Sequence, residues 1–319
     1  MKTDLRTQSS ELEQNRYPPV DDEIDLGELL SVIWRGKWII AVITFLFVLL
    51  SVIFALKQPN LYRSEVLLAP AEAKSNGGLS ALAGQFGGLA SLAGVNIGGQ
   101  STNKTQLALE VLKSRKFVAS FIEKHNILPD LMAVESWDID KGVLYDPEVY
   151  DSSSKKWLRD VEAPRIAKPS DQEAYKIFSD LILLKTNKET AMITLSIVHQ
   201  SPLIAKQWVN WLVKDINKEM RDRDVVEAQK SADFLSKQLE DTKIADIRII
   251  LYKLIEEQAK TIMFASVRDE YAFKTIDPAL VPEVRDSPKR TLIVILGFAL
   301  GLVFSCMIVI LKHYIRIKD

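Results

Sequence analysis

Residues 38–56 read WIIAVITFLFVLLSVIFAL, nineteen positions without a charged side chain. As a helix rising 1.5 Å per residue the stretch reaches about 28 Å, enough to cross the hydrocarbon of a bilayer. Trp34 and Trp38 stand where interfacial aromatics sit, and Arg35 and Lys37 flank the start. The run begins too deep in the chain and is too long for the apolar part of a secretory signal, and no small-residue cleavage motif follows it. Uncharged runs of this length are rare in soluble cores, which disfavours a buried core helix.

A second run, LIVILGFALGLVFSCMIVIL at 292–311, lies between Lys289 and Arg290 on one side and Lys312, His313, Arg316 and Lys318 on the other. The two runs partition the chain. Residues 1–37 form a cytoplasmic tail with a short amphipathic helix, marked by a capping-box pair at Asp25 and Glu28 and by Leu29, Leu30, Ile33 and Trp34. Residues 38–56 are the first span, 57–291 the main domain, 292–311 the second span and 312–319 a short tail. Basic residues at the outer flanks (Arg35, Lys37, Lys312, Arg316, Lys318) outnumber those at the inner flanks (Lys57, Arg63, Lys289, Arg290). That bias puts both termini in the cytoplasm and the main domain on the far side of the membrane. A net charge of −1 supplies no basic surface, and no nucleic-acid partner is expected.

The main domain reads as α+β. Residues 62–69 (YRSEVLLA) form a first strand, 192–198 an alternating strand with Ile193, Leu195 and Ile197 on one face, and 271–276 a last strand. The simplest arrangement pairs the first and last strands in one sheet above the membrane. Amphipathic helices are expected over 106–125 and 172–184, with an irregular, aromatic-rich excursion at 129–170. Ser201-Pro202 then opens a long helical stretch, and no Pro or Gly occurs from 203 to 277. Trp208, Leu212, Ile216 and Met220 recur at i, i+4, and Ile244, Ile247, Leu251, Leu254 and Ile255 follow at heptad-like spacing. Long helices over about 202–267 therefore make an extended arm on a membrane-proximal α/β base. Pro278, Pro282 and Pro288 stiffen a linker at 277–289 that leads into the second span.

Residues 77–99 hold eight of thirteen glycines in a near-repeat, GGLSALAG and GGLASLAG. No GK[ST] follows, so a phosphate-cradling loop is excluded. A mobile apolar loop is one reading, and a contact with neighbouring subunits or lipid-linked glycan is the other. Catalytic constellations are missing: there is no GxSxG, HExxH or Walker A sequence. His125, His199 and His313 have no partner at ligand spacing, and the one cysteine, Cys306, lies in the second span. Neither a disulfide nor a cysteine-based metal site is available. No catalytic residue, metal or cofactor is expected, and the glycan-binding residues are not identifiable. The chemistry that remains is assembly. Gly297 and Gly301, with Ser305 continuing the small-residue face, permit close approach of helices in lipid, and Ser51 and Ala55 of the first span are the candidate partner face.

Several strings, in order, resemble the Wzz-type O-antigen chain-length determinants, the polysaccharide co-polymerases. They are Asp25-Leu26, Leu30 and Trp34-Arg-Gly-Lys-Trp38 before the first span, and Tyr62-Arg-Ser-Glu-Val-Leu-Leu-Ala-Pro70 after it. The glycine-leucine-alanine segment, Leu112-Lys-Ser-Arg115 and Pro169-Ser-Asp-Gln-Glu-Ala-Tyr175 come next. Ile193-Thr-Leu-Ser-Ile197 with Ser201-Pro202 follows, and Ile276-Asp-Pro-Ala279, Pro282 and Ser287-Pro-Lys289 close the series. The resemblance implies a homo-oligomeric ring of about eight protomers and a non-enzymatic role in setting the length of O-antigen. The implied partners are the O-antigen polymerase and lipid-linked polysaccharide. An inner-membrane bridging component of a capsule or exopolysaccharide export system shares the two-span layout and is the alternative.

Overall fold

The computed structural model describes residues 32–71 and 100–318. The tail before residue 32, with the start of its amphipathic helix, and the glycine-rich segment 77–99 lie outside the described residues. The chain divides into two compact units, one of Met1–Lys57 with Lys289–Asp319 and one of Gln58–Pro288. The first helix, α1 (Lys37–Lys57), belongs to the former.

The larger unit opens on β1 (Tyr62–Pro70), followed after the undescribed segment by α2 (Gln100–Lys113) and α3 (Arg115–His125). One continuous helix is expected there. The break falls at Ser114, whose side chain accepts a hydrogen bond from the Phe117 N–H and so caps a new helix. Helix α3 ends on Asn126, which takes a left-handed conformation (φ 50°), one that asparagine tolerates better than most residues. A short α4 (Leu128–Met132) leads to two hairpins, β2 (Val134–Asp138) with β3 (Gly142–Tyr145), and β4 (Tyr150–Asp151) with β5 (Lys156–Trp157). The excursion is therefore ordered into ladders too short for periodicity to reveal. Tyr145 meets Tyr150 edge to face at 5.7 Å between centroids, and Tyr150 packs on Trp157 with tilted rings at 4.9 Å.

Helix α5 (Asp171–Leu181), capped by Ser170, ends earlier than its sequence suggests, and Ile182–Thr186 becomes β6. The apolar run Ile182-Leu183-Leu184 fits either period, and pairing with β7 (Ile193–His199) decides it. The resulting sheet is fully antiparallel, in the order β6-β7-β1-β8, where β8 is Phe273–Asp277. First and last strands are thus neighbours. Ile193, Leu195 and Ile197 point inward and are fully buried.

Between β7 and β8 runs the helical arm, α6 (Pro202–Asp241) and α7 (Ala245–Val267). Helix α6 has 40 residues and is about 60 Å long. Its first half is core: Ala205, Trp208, Val209, Leu212, Ile216 and Met220 pack on the sheet and on Phe121 and Phe178. Each buried large side chain of this kind contributes about 1.5–3 kcal/mol. Past Ala228 no large apolar residue of α6 is buried, so the helix leaves the core there. Helix α7 returns antiparallel beside it, since Arg221 reaches Asp269 and the Tyr271 hydroxyl donates to Asp224 at 2.6 Å. Arg248, Leu251, Ile255, Gln258, Ile262 and Ala265 face inward, a 3-4-3-4-3 seam.

Three polar groups fix the core. Asp215 on α6 is buried and pairs with Lys124 and with His125 Nε2 (2.8 Å), while the His125 ring stacks on Trp211 at 4.1 Å. Asn217, also on α6, bonds to the Phe273 carbonyl and to the Ala272 and Phe273 N–H groups. His199 Nε2 donates to the Asp130 carbonyl (2.9 Å), and its Nδ1 accepts from the Ser201 N–H (2.9 Å). Burial holds the His199 imidazolium below its ordinary range, partly offset by the Asp130 carbonyl. A histidine depressed in the fold contributes stability that is present above its unfolded value, about 6.5, and is lost as pH falls towards its folded value. Thermal midpoints of the full chain are therefore expected to drop from pH 7.5 to pH 5, and the His199→Asn variant, though weaker at pH 7.5, to show a smaller drop.

The smaller unit is completed by α8 (Arg290–Lys318).

Candidate functional site

The residues singled out from sequence lie in two elements, the packed spans and the proline-bearing segment of the larger unit. Helices α1 and α8 are apolar over lengths sufficient to cross a membrane. They run antiparallel because Ser51 opposes Gly297 while Gly36 opposes Val309. Small residues set the spacing. A Cβ on Gly297 would fall on the Ser51 hydroxyl and lie 2.6 Å from the Ser51 Cβ, and one on Gly301 would lie 2.7 Å from the Phe47 Cβ and 3.2 Å from the Thr44 Cα. A Cβ on Gly36 would strike the Val309 methyls.

Polar groups inside the seam are satisfied internally. Ser51 donates to the Phe47 carbonyl (2.8 Å), a local bond that leaves nothing polar towards lipid. Ser305, fully buried, donates to the Leu302 carbonyl at 2.9 Å and lies 3.4 Å from the Thr44 hydroxyl across the seam. Phe47 and Phe304 rings meet at 5.8 Å. Ala55 is buried, whereas Phe45, Leu46, Leu49, Leu50, Val303 and Phe304 face outward, as lipid-facing residues do. Gly297, Gly301 and Ser305 thus lie on one seam. Phe47, Thr44 and the Gly36–Val309 contact were not nominated from sequence, since a phenylalanine in an apolar run carries no mark of its partner.

The proline-bearing segment belongs to the larger unit. It is strapped along the start of β1 and is not a free link. Leu61 N–H donates to the Ser287 carbonyl (2.9 Å), and Asp286 N–H returns a bond to the Leu61 carbonyl (2.8 Å). Arg63 pairs with Asp286 at 2.8 Å, and the Ser64 hydroxyl donates to the Leu280 carbonyl at 2.7 Å. Ala279, between Pro278 and Leu280, is buried in the core. Pro278 is exposed, and Pro282 and Pro288 are half-buried. Lacking N–H groups, the prolines keep the strap from extending into a further ladder strand. Leu61 and Ser287, near the two ends of the larger unit's sequence, are therefore hydrogen-bonded neighbours.

Among the described residues no group of three or more His, Cys, Asp or Glu side chains could hold a metal ion. Each described histidine of the larger unit has a structural partner: His125 on Asp215 and Trp211, and His199 on Asp130 and Ser201.

Residues 22–125 match the family model described as "Wzz: Chain length determinant protein". No curated protein matches the chain. Among solved structures it is similar to a full-length bacterial polysaccharide co-polymerase, with 15% identity, TM-score 0.38 and coverage of 92% of this chain and 99% of the other. It is also similar to a fragment of WzzB, a polysaccharide co-polymerase from Salmonella Typhimurium, with 11% identity, TM-score 0.32 and coverage of 71% and 99%. A mutant of the Shigella flexneri lipopolysaccharide O-antigen chain-length regulator matches with 15% identity, TM-score 0.20 and coverage of 71% and 100%. The part of the chain that is similar to the chain length determinant family, residues 22–125, takes in the first span, the strand that follows it and the first two helices of the larger unit.

Proposed function

We propose that this protein regulates the chain length of lipopolysaccharide O-antigen without catalysing a reaction itself. The observation that carries the reading is the family match over residues 22–125. The large unit lies in the periplasm, both termini in the cytoplasm, and α1 and α8 cross the inner membrane as a pair. A ring of about eight copies holds the O-antigen polymerase and the lipid-linked glycan together for a limited time, and that time sets the number of repeats added. The span seam and the strapped junction are where the polymerase docks.

The arm supports assembly into such a ring. Helix α7 is apolar nearly all round near its start. Its seam side packs on α6, yet Ile247, Ile249, Ile250 and Tyr252 remain exposed, Ile250 at 58%. A helix of that character is normally covered on more than one side, and in a ring neighbouring arms cover it.

Deleting the gene and reading the length distribution of surface glycan tests the proposal. Polymer of uncontrolled length is the expected result. Loss of surface polysaccharide with an unchanged ladder would replace the regulator by a bridging component of an export system.

A further inference from the structure

The corner where β7 runs into α6 ties together more than those two elements. His199 ends the strand, Gln200 bends the chain, and Ser201 caps the helix by accepting from the Ile204 N–H. The His199 ring is buried, and both of its nitrogens have partners of fixed character. Nε2 meets the Asp130 carbonyl, which can only accept, and Nδ1 meets the Ser201 N–H, which can only donate. Those partners admit one form of the ring, neutral with its proton on Nε2. An imidazolium would set a second N–H against the N–H of Ser201.

The same corner holds α4 and the first hairpin. Gln200 Nε2 donates to the Val134 carbonyl at 3.3 Å, where β2 begins. Tyr62, the register partner of His199 on β1, meets Trp137 of β2 edge to face at 5.7 Å. The Asp130 carboxylate on α4 accepts from the Tyr145 hydroxyl at the end of β3, at 2.6 Å. Asp130 thus joins the hairpin to the histidine, and losing the His199 bond loosens α4 and the hairpin together. The sheet and α6 are held separately, by the strand ladders and by the core from Ala205 to Met220.

The groups facing the ring are Asp130 from α4, Tyr62 across the ladder from β1, and the Trp208 ring of α6 at 5.0 Å. Burial disfavours the imidazolium among them, and Asp130 offsets only part of that.

We propose that His199, Gln200 and Ser201 form an acid-released clasp, which frees α4 and the β2–β3 hairpin while the sheet and arm stay folded. Opening uncovers Leu131 and Ala133, buried when the clasp is closed. Because opening takes up one proton, it becomes about ten-fold more favourable for each pH unit below about 6.5, until the closed form is itself protonated. The clasp lies wholly within the larger unit and operates whatever the protein's function.

Hydrogen exchange of the full chain in detergent, read by mass spectrometry from pH 7.5 to pH 5 and corrected for intrinsic rates, tests the clasp. Protection within 128–145 is expected to fall about ten-fold per pH unit below 6.5, while 193–198 and 205–220 keep theirs. His199→Asn is expected to protect 128–145 less at pH 7.5 and to show no such fall. Gln200→Ala leaves the histidine in place, so it lowers protection of 128–145 at every pH and keeps the fall. A fall that survives in His199→Asn would overturn the assignment to that residue. Unchanged protection in Gln200→Ala would overturn the shared corner. Protection lost equally across the larger unit, or no fall in the wild type, would overturn the clasp.

Discussion

Leucine at Gly301 is expected to abolish the modal glycan length while the large unit stays folded. The atoms a side chain would strike there are the Phe47 Cβ and the Thr44 Cα. Neither moves by a rotamer change, so α1 and α8 must separate. Separation also parts Ser305 from Thr44. Overpacking a tight contact costs about 1–3 kcal/mol. In lipid no hydrophobic force between helices offsets it, because acyl chains are as apolar as the seam. Gly301→Ala is expected to act in the same direction but less. Gly297→Ala should be at least as disruptive as Gly301→Ala, since the Ser51 hydroxyl can rotate but its Cβ, which would lie 2.6 Å away, cannot. Circular dichroism and limited proteolysis report the fold, and lipopolysaccharide gels report the length. A normal length distribution in Gly301→Leu would remove span pairing from the mechanism.

The largest stability loss is expected at Asn217. Its side chain is buried, donates to the Phe273 carbonyl at 3.0 Å, and accepts from the Ala272 and Phe273 N–H groups at 2.7 and 2.8 Å. It acts as a strand partner supplied by a helix, and holds β8, the edge strand among the described residues, to α6. Asn217→Leu strands three backbone groups at once, and an unmade buried hydrogen bond costs about 1–3 kcal/mol. A loss of about 3–5 kcal/mol is expected for the full chain in detergent, measured by denaturant unfolding. Asn217→Asp keeps the two acceptor bonds and loses the donor bond, so it should fall between. A loss below about 1 kcal/mol in Asn217→Leu would show that β8 is held by Phe273 packing alone.

What the sequence made legible follows from period and length. Ile193, Leu195 and Ile197 alternate plainly, and the long uninterrupted stretch from Ser201-Pro202 announces the arm. The adjacency of β1 and β8 was readable from chain order, because each borders a span. The strand β6 was hidden, since Ile182-Leu183-Leu184 suits a helix end as well as a strand, and only the neighbouring β7 distinguishes them. The hairpins at 134–157 were hidden by their brevity. At the site, glycine spacing signals that a helix can be approached closely but not what approaches it. The contacts of Gly301 with Phe47 and of Gly36 with Val309 exist only once the two helices are in register. The strap of 280–287 on Leu61, Arg63 and Ser64 was likewise invisible, because three prolines announce stiffness and say nothing of attachment.

The most direct measurement is the lipopolysaccharide ladder of a deletion strain with and without this gene restored. The account predicts a decaying ladder without the gene and a clustered modal band with it. An identical ladder in both strains would contradict the regulator reading.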